Sequence, residues 1–205
     1  MLSRWNATWQ QLGVNAPEHA YDHLIAAYAE PHRRYHTTQH LAEVFAFYDS
    51  VAPAVGKSPL VELAVWFHDV VYNTRATNNE AASAAYATQV LVAAGLPSAA
   101  CREVSNLIFA TRHDTLATSP GEQLLLDVDL SILGAEPARF AEYEIQVRRE
   151  YEWVPEQQFR TTRSAILQQF LARKFIFQVP EIRGRLELRA RENLASSIAE
   201  LQSPK

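Results

Sequence analysis

The sequence predicts an all-α fold, a single-domain helical bundle over residues 1–205, and three observations lead there. Apolar residues recur every three or four positions through most of the chain, glycine is scarce at 6 of 205 residues, and Pro, Ser, Thr and Asn fall where helices would start. A hydrophobic share of 48% is enough for a buried core at this length without disulfides. The one cysteine, Cys101, has no partner for an internal bridge, which suits a reducing compartment.

Taken in order, Trp5, Trp9 and Leu12 make the first stripe, and Leu24, Ile25 and Tyr28 the second, after Pro17. Thr37 or Thr38 can cap a third helix carrying Leu41, Val44, Phe45 and Tyr48, which puts His40 in its first turn. Ser58-Pro59 supplies a cap and a first-turn proline for a helix through Leu60, Leu63, Ala64 and Phe67. It is expected to end near Val71-Tyr72, with His68 and Asp69 at its C-terminal end. Asn78 or Asn79 opens an alanine-rich helix to about Ala94, stopped by Gly95 and Pro97. Val104, Leu107 and Ile108 mark the next helix, which leads into Thr111-Arg112-His113. Beyond Ser119-Pro120-Gly121, residues 124–130 are apolar enough to lie deep even though they carry Asp127 and Asp129, a costly placement without a partner. Three last helices open near Pro137, Pro155 and Pro180.

The formal charge of -4 and scattered basic residues argue against duplex nucleic acid or an anionic membrane surface as partner. Met1-Leu2-Ser3-Arg4-Trp5-Asn6 has no basic segment followed by an apolar stretch, and no run of about 18 apolar residues occurs, so a soluble cytoplasmic protein is expected. Trp5, Trp9 and Trp153 are read as exposed aromatics that suit an interface as well as a core, which leaves a homodimer open.

All seven histidines lie at or before position 113. A single histidine mostly binds nothing, and His19 and His23 fit that description. His68-Asp69 differs because the apolar run Leu63-Ala64-Val65-Trp66-Phe67 predicts its burial, and buried charge needs compensation. A structural His-Asp hydrogen bond would provide it. A divalent cation would too, with His40 and Asp127-Val128-Asp129 offering further ligands.

Histidine, His-Asp and aspartate in that order, over roughly residues 30–135, resemble the HD-domain superfamily. Glu30-Pro31-His32-Arg33-Arg34-Tyr35-His36-Thr37-Thr38-Gln39-His40, Trp66-Phe67-His68-Asp69-Val70-Val71-Tyr72 and Asn79-Glu80 are similar to a bacterial branch of small, stand-alone predicted HD phosphohydrolases. Leu126-Asp127-Val128-Asp129-Leu130-Ser131-Ile132-Leu133-Gly134 and Glu150-Tyr151-Glu152-Trp153-Val154-Pro155 extend that resemblance across most of the chain. It implies an HD-type bundle with its metal-site core at about residues 30–135 and C-terminal helices 136–201 packing on it.

The resemblance further implies that His40, His68, Asp69 and Asp129 bind one divalent ion, for which Mn, Co, Fe, Ni or Zn suits the donors better than Ca or Mg. His36, one turn earlier, is the alternative to His40, and Asp127 the alternative to Asp129. The two aspartates point about 200° apart on a regular helix, so they cannot both face one ion. Asp127 then serves as hydrogen-bond partner to a ligand histidine, as a cap, or as partner to an arginine. The implied activity is hydrolysis of a phosphoester of a nucleotide or other small phosphate metabolite by metal-activated water, with Asp69 both ligating and orienting that water. Glu80 is the candidate acid or base, and otherwise complements its helix dipole. Arg33, Tyr72, Arg112 and His113 are candidates for contact with the substrate, Arg33 because it neighbours the His36–His40 helix start. His113 is also open as a second-metal ligand or a structural residue. An HD-type di-iron oxygenase and a non-catalytic module binding metal and nucleotide are the competing functions.

Overall fold

Residues 61–67 are buried without exception, which makes their helix, α4 (Pro59–Phe67), the centre of the N-terminal half of the chain. A helix that is apolar on all sides is stable only when others surround it. Its neighbours are α1 (Leu2–Gln11), α3 (Thr38–Val55), α5 (Asn79–Ala93), α6 (Ser98–Ala110) and α7 (Pro120–Asp129), and α2 (Glu18–Ala27) completes the set. The computed structural model describes residues 1–113 and 117–203, all of whose regular elements are helical, and the chain divides into two compact units, Met1–Asp129 and Leu130–Lys205. No helix among the described residues is long and apolar enough to cross a membrane.

In the first unit, Trp5 and Trp9 of α1 are fully buried, which corrects their reading as exposed. Their rings meet edge to face at 5.2 Å, and Trp5 meets Trp66 of α4 at 5.4 Å in the same manner, an arrangement that suits the ring quadrupoles. Trp153, in the second unit, is 43% exposed. Glu62 is the charged residue on α4, and its carboxylate is compensated by Arg4 at 3.1 Å and by the Thr8 hydroxyl at 2.6 Å.

The helix starts follow the sequence closely. Thr37 caps α3 by accepting from the Gln39 amide at 3.2 Å, and Ser58 caps α4 by accepting from Val61. One start carries more chemistry than was expected of it: the Ser119 hydroxyl accepts from the Glu122 amide while the Glu122 carboxylate accepts from the Ser119 amide, a reciprocal box that fixes where α7 begins. The α4 helix stops at Phe67, short of Val71-Tyr72. The reason is that the following amides find other acceptors: Asp69 N–H donates to the Tyr28 hydroxyl at 3.3 Å and Val71 N–H to the Ser83 hydroxyl at 3.1 Å.

The second unit opens with a 3-10 turn (Leu130–Gly134), followed by α8 (Pro137–Glu150), α9 (Glu156–Ala172) and α10 (Pro180–Gln202), the three proline-opened helices expected. Asn193 of α10 donates to the Leu133 and Ala135 carbonyls at 2.8 and 2.9 Å, tying the turn to that helix. Arg191 does the same for the end of α9, donating to the Leu171, Arg173 and Lys174 carbonyls. Close approach of the turn requires glycine at 134, since a Cβ there would stand 2.7 Å from the Leu186 Cβ and 3.0 Å from its carbonyl oxygen. Gly134→Ala is therefore expected to destabilise the protein by about 1–3 kcal/mol in chemical denaturation, the cost of forcing a methyl into a packed contact. A neutral result would contradict that packing.

Candidate metal centre

Three helix ends converge on one point. The first turn of α3 supplies His40, the C-terminal end of α4 supplies His68 and Asp69, and the last residue of α7 is Asp129. His40 and His68 are each 2% exposed, while the Asp69 and Asp129 side chains keep 17% and 15% of their surface open, so the cluster faces solvent on its carboxylate side. The two Nε2 atoms lie 3.1 Å apart. Asp69 Oδ2 is 3.0 Å from His68 Nε2 and 3.8 Å from His40 Nε2, and Asp129 Oδ1 is 3.4 Å from both nitrogens.

These spacings suit a shared cation. Ligands about 2.1 Å from one ion stand about 3.0 Å apart at right angles and about 3.4 Å apart at tetrahedral angles. Among the described residues, His40, His68 and Asp69 form a buried group that can hold a metal ion.

The outer ring nitrogens decide which way the lone pairs point. His68 Nδ1 lies 2.9 Å from the Val65 carbonyl, which can only accept, so Nδ1 carries the proton and a neutral His68 offers Nε2 to the cluster. His40 Nδ1 is 3.1 Å from the Tyr35 hydroxyl, which fits the same tautomer. Val65 and Tyr35 thus hold the outer nitrogens of His68 and His40, the positions for which Asp127 is one candidate partner. Asp127 is buried on α7, about 200° around that helix from Asp129.

Burial works against the charges of the cluster, and neighbours reverse its effect. The Asp69 carboxyl is pushed up by burial but held below the usual carboxylate range by the imidazoles of His68, His36 and His40. Asp129 is likewise held well below it, through bonds from His113, His40 and His68 that outweigh desolvation. His68 is driven down by burial and then carried well above the ordinary imidazole value, mainly by Asp69. A cation bound at Nε2 must displace that proton. Metal affinity measured calorimetrically is thus expected to climb with pH through the ordinary imidazole range and beyond it, by up to about tenfold per pH unit for one proton displaced, and to level off above the raised His68 value. A flat dependence would contradict the His68 assignment.

Around the cluster, the sequence-predicted residues take several different positions. His36 stacks on Tyr72 with ring centroids 4.1 Å apart and stands 5.7 Å from the His40 ring; the convergent group contains His40. Arg33 is corrected as a phosphate contact. Its side chain is fully buried, and its guanidinium donates to Glu30 at 3.0 Å, to the Asp69 and Val70 carbonyls at 2.6 and 3.0 Å, and to the His36 carbonyl at 3.4 Å. With its donors directed at carbonyls past the end of α4, Arg33 is a clamp for the His-Asp segment. It also lies over the rings of Tyr28 and Tyr72 at 5.1 and 5.5 Å.

Tyr72 is half-buried in a loop that folds back on α5: Asn73 and Asn79 exchange two hydrogen bonds of 3.0 Å, and Ser83 binds both polar groups of Val71. Glu80 is half-buried in the first turn of α5, and among the described residues no hydrogen bond or ion pair joins it to the cluster. That position matches its alternative reading as a carboxylate complementing the helix dipole. Arg112 is exposed beyond α6. His113 does reach the site, with Nε2 3.2 Å from Asp129 Oδ2. Tyr28 was read as part of an apolar stripe; its hydroxyl accepts from the Asp69 amide and donates to the Trp66 carbonyl at 3.4 Å, and burial raises its pKa.

No family model, curated protein or solved structure matches the chain.

Proposed function

We propose that this chain is a metal-dependent phosphohydrolase of the HD type, acting on a phosphoester of a nucleotide or another small phosphate metabolite. The observation that carries the reading is the convergence of His40, His68, Asp69 and Asp129 at ligand spacing from three separate helix ends. Two imidazoles and two carboxylates suit Mn, Co, Fe, Ni or Zn. A bound divalent ion would supply Lewis acidity toward a phosphoryl oxygen and lower the pKa of a coordinated water.

The protein's own part is positioning. Val65 and Tyr35 fix the two imidazoles so that their Nε2 atoms face each other, where they would hold the ion, and Arg33 and Tyr28 hold the backbone at Asp69. The carboxylates of Asp69 and Asp129 lie on the open side of the cluster, where a substrate would approach. Asp69 Oδ2 meets the His68 nitrogen, and the carboxylate has a second oxygen with which to accept a hydrogen bond from water and aim it. Glu80 has no part in this scheme.

A second reading, a di-iron oxygenase, draws on the contact of His113 with Asp129, because a second ion needs further histidine. Steady-state assays separate the two. Phosphomonoester and phosphodiester substrates are offered to the metal-stripped protein with and without added Mn2+, Co2+, Ni2+ or Zn2+. Hydrolysis that requires an added ion is expected. Oxygen consumption dependent on two irons per chain, or no metal-dependent hydrolysis of any substrate, would contradict the proposal.

A further inference from the structure

His113 has an unusual backbone for a residue with a side chain. It follows the end of α6 with φ 58°, in the left-handed region, where it is the one non-glycine residue among those described. The other described residues with positive φ, Gly13, Gly56 and Gly95, follow α1, α3 and α5. Glycine is the usual choice at such helix ends because it escapes the Cβ penalty. At α6 a residue with a side chain takes this conformation instead, and that side chain reaches Asp129.

The Asp129 carboxylate is divided between two sets of nitrogens. Oδ1 is 3.4 Å from each ligand imidazole, and Oδ2 is 3.2 Å from His113 Nε2. A carboxylate on the last residue of a helix has free rotation about two side-chain bonds. Holding one oxygen removes that freedom and directs the other.

Resting on the metal-site reading above, we propose that His113 is a positioning residue for Asp129: its Nε2–H holds Oδ2 so that Oδ1 stays turned toward His40 and His68. It acts through Asp129 and touches neither the ion nor the substrate. Partners of this kind, one bond outside the ligands, typically change metal affinity by about 10- to 100-fold.

The test separates the side-chain donor from the backbone strain. His113→Gln keeps an N–H at the reach of Nε2, His113→Ala removes the donor and keeps the strain, and His113→Gly removes both. Each chelator-stripped variant is melted by circular dichroism and then titrated with Mn2+ by calorimetry at one pH. Ala and Gly are expected to weaken Mn2+ binding alike, by about 10- to 100-fold, and Gln by about threefold or less, although Gly melts at a higher temperature than Ala. Affinities that follow melting temperature would overturn the proposal in favour of a purely structural role. So would wild type binding two Mn2+ and both the Gln and Ala variants one, which would make His113 a ligand. Absence of Mn2+ binding by the wild-type protein would overturn the metal reading itself, and this inference with it.

Discussion

Asp69→Ala is expected to remove bound metal and metal-dependent hydrolysis together, with turnover falling on the order of 10^3-fold, about 4 kcal/mol of transition-state stabilisation. The size follows from the double use of one side chain. Asp69 Oδ2 stands 3.0 Å from His68 Nε2, inside the ligand cluster, and the same carboxylate keeps its exposed side toward the place where water and substrate would enter. Its removal takes an anion from between two imidazoles and leaves Asp129 as the remaining carboxylate. The variant's far-ultraviolet circular dichroism should match wild type, because Asp69 lies past the end of α4 and its backbone bonds to Tyr28 and Arg33 do not need the side chain. Retention of metal-dependent turnover within tenfold would exclude Asp69 from the site.

Arg33→Met is expected to cost about 3 kcal/mol of stability and roughly 10 °C in melting temperature. The guanidinium is fully buried and donates to three backbone carbonyls and one carboxylate, and Met fills much of the volume without offering a single donor. The carbonyls of Asp69 and Val70 would then be left inside without partners, and the loss of a charged donor is costlier than that of a neutral one. A phosphate-binding Arg33 predicts another result: unchanged melting and a raised KM. Measuring both quantities on one variant distinguishes clamp from contact.

Much of this architecture was legible in the sequence because helix ends are written locally. Thr37 and Ser58-Pro59 each mark a helix start through short-range hydrogen bonding, which puts His40 in a first turn and His68 at the far end of an apolar helix; that α7 ends at Asp129 has no such local mark. Periodicity also separated Asp129 from Asp127, since two residues along a helix cannot share a face. The errors came where long-range packing decides. The Trp5-Trp9-Leu12 stripe marks an apolar face, but nothing local shows what covers it, because the partner ring is Trp66, far along the chain. Arg33 was read for its charge, but its role is set by carbonyls more than 35 residues away. Tyr28 passed for an ordinary stripe residue, and its hydroxyl holds the Asp69 amide. The Ser119-x-x-Glu122 box was the one missed feature that the sequence carried openly.

The most direct measurement is elemental analysis of the wild-type protein, purified without chelator, beside His68→Ala. The metal centre predicts about one equivalent of a transition metal per chain in wild type and less than about a tenth of that in the variant, since a lost imidazole leaves too few donors to retain the ion. Metal-free wild-type protein whose melting temperature also stays unchanged on addition of Mn2+, Co2+, Ni2+ or Zn2+ would contradict the account at its centre.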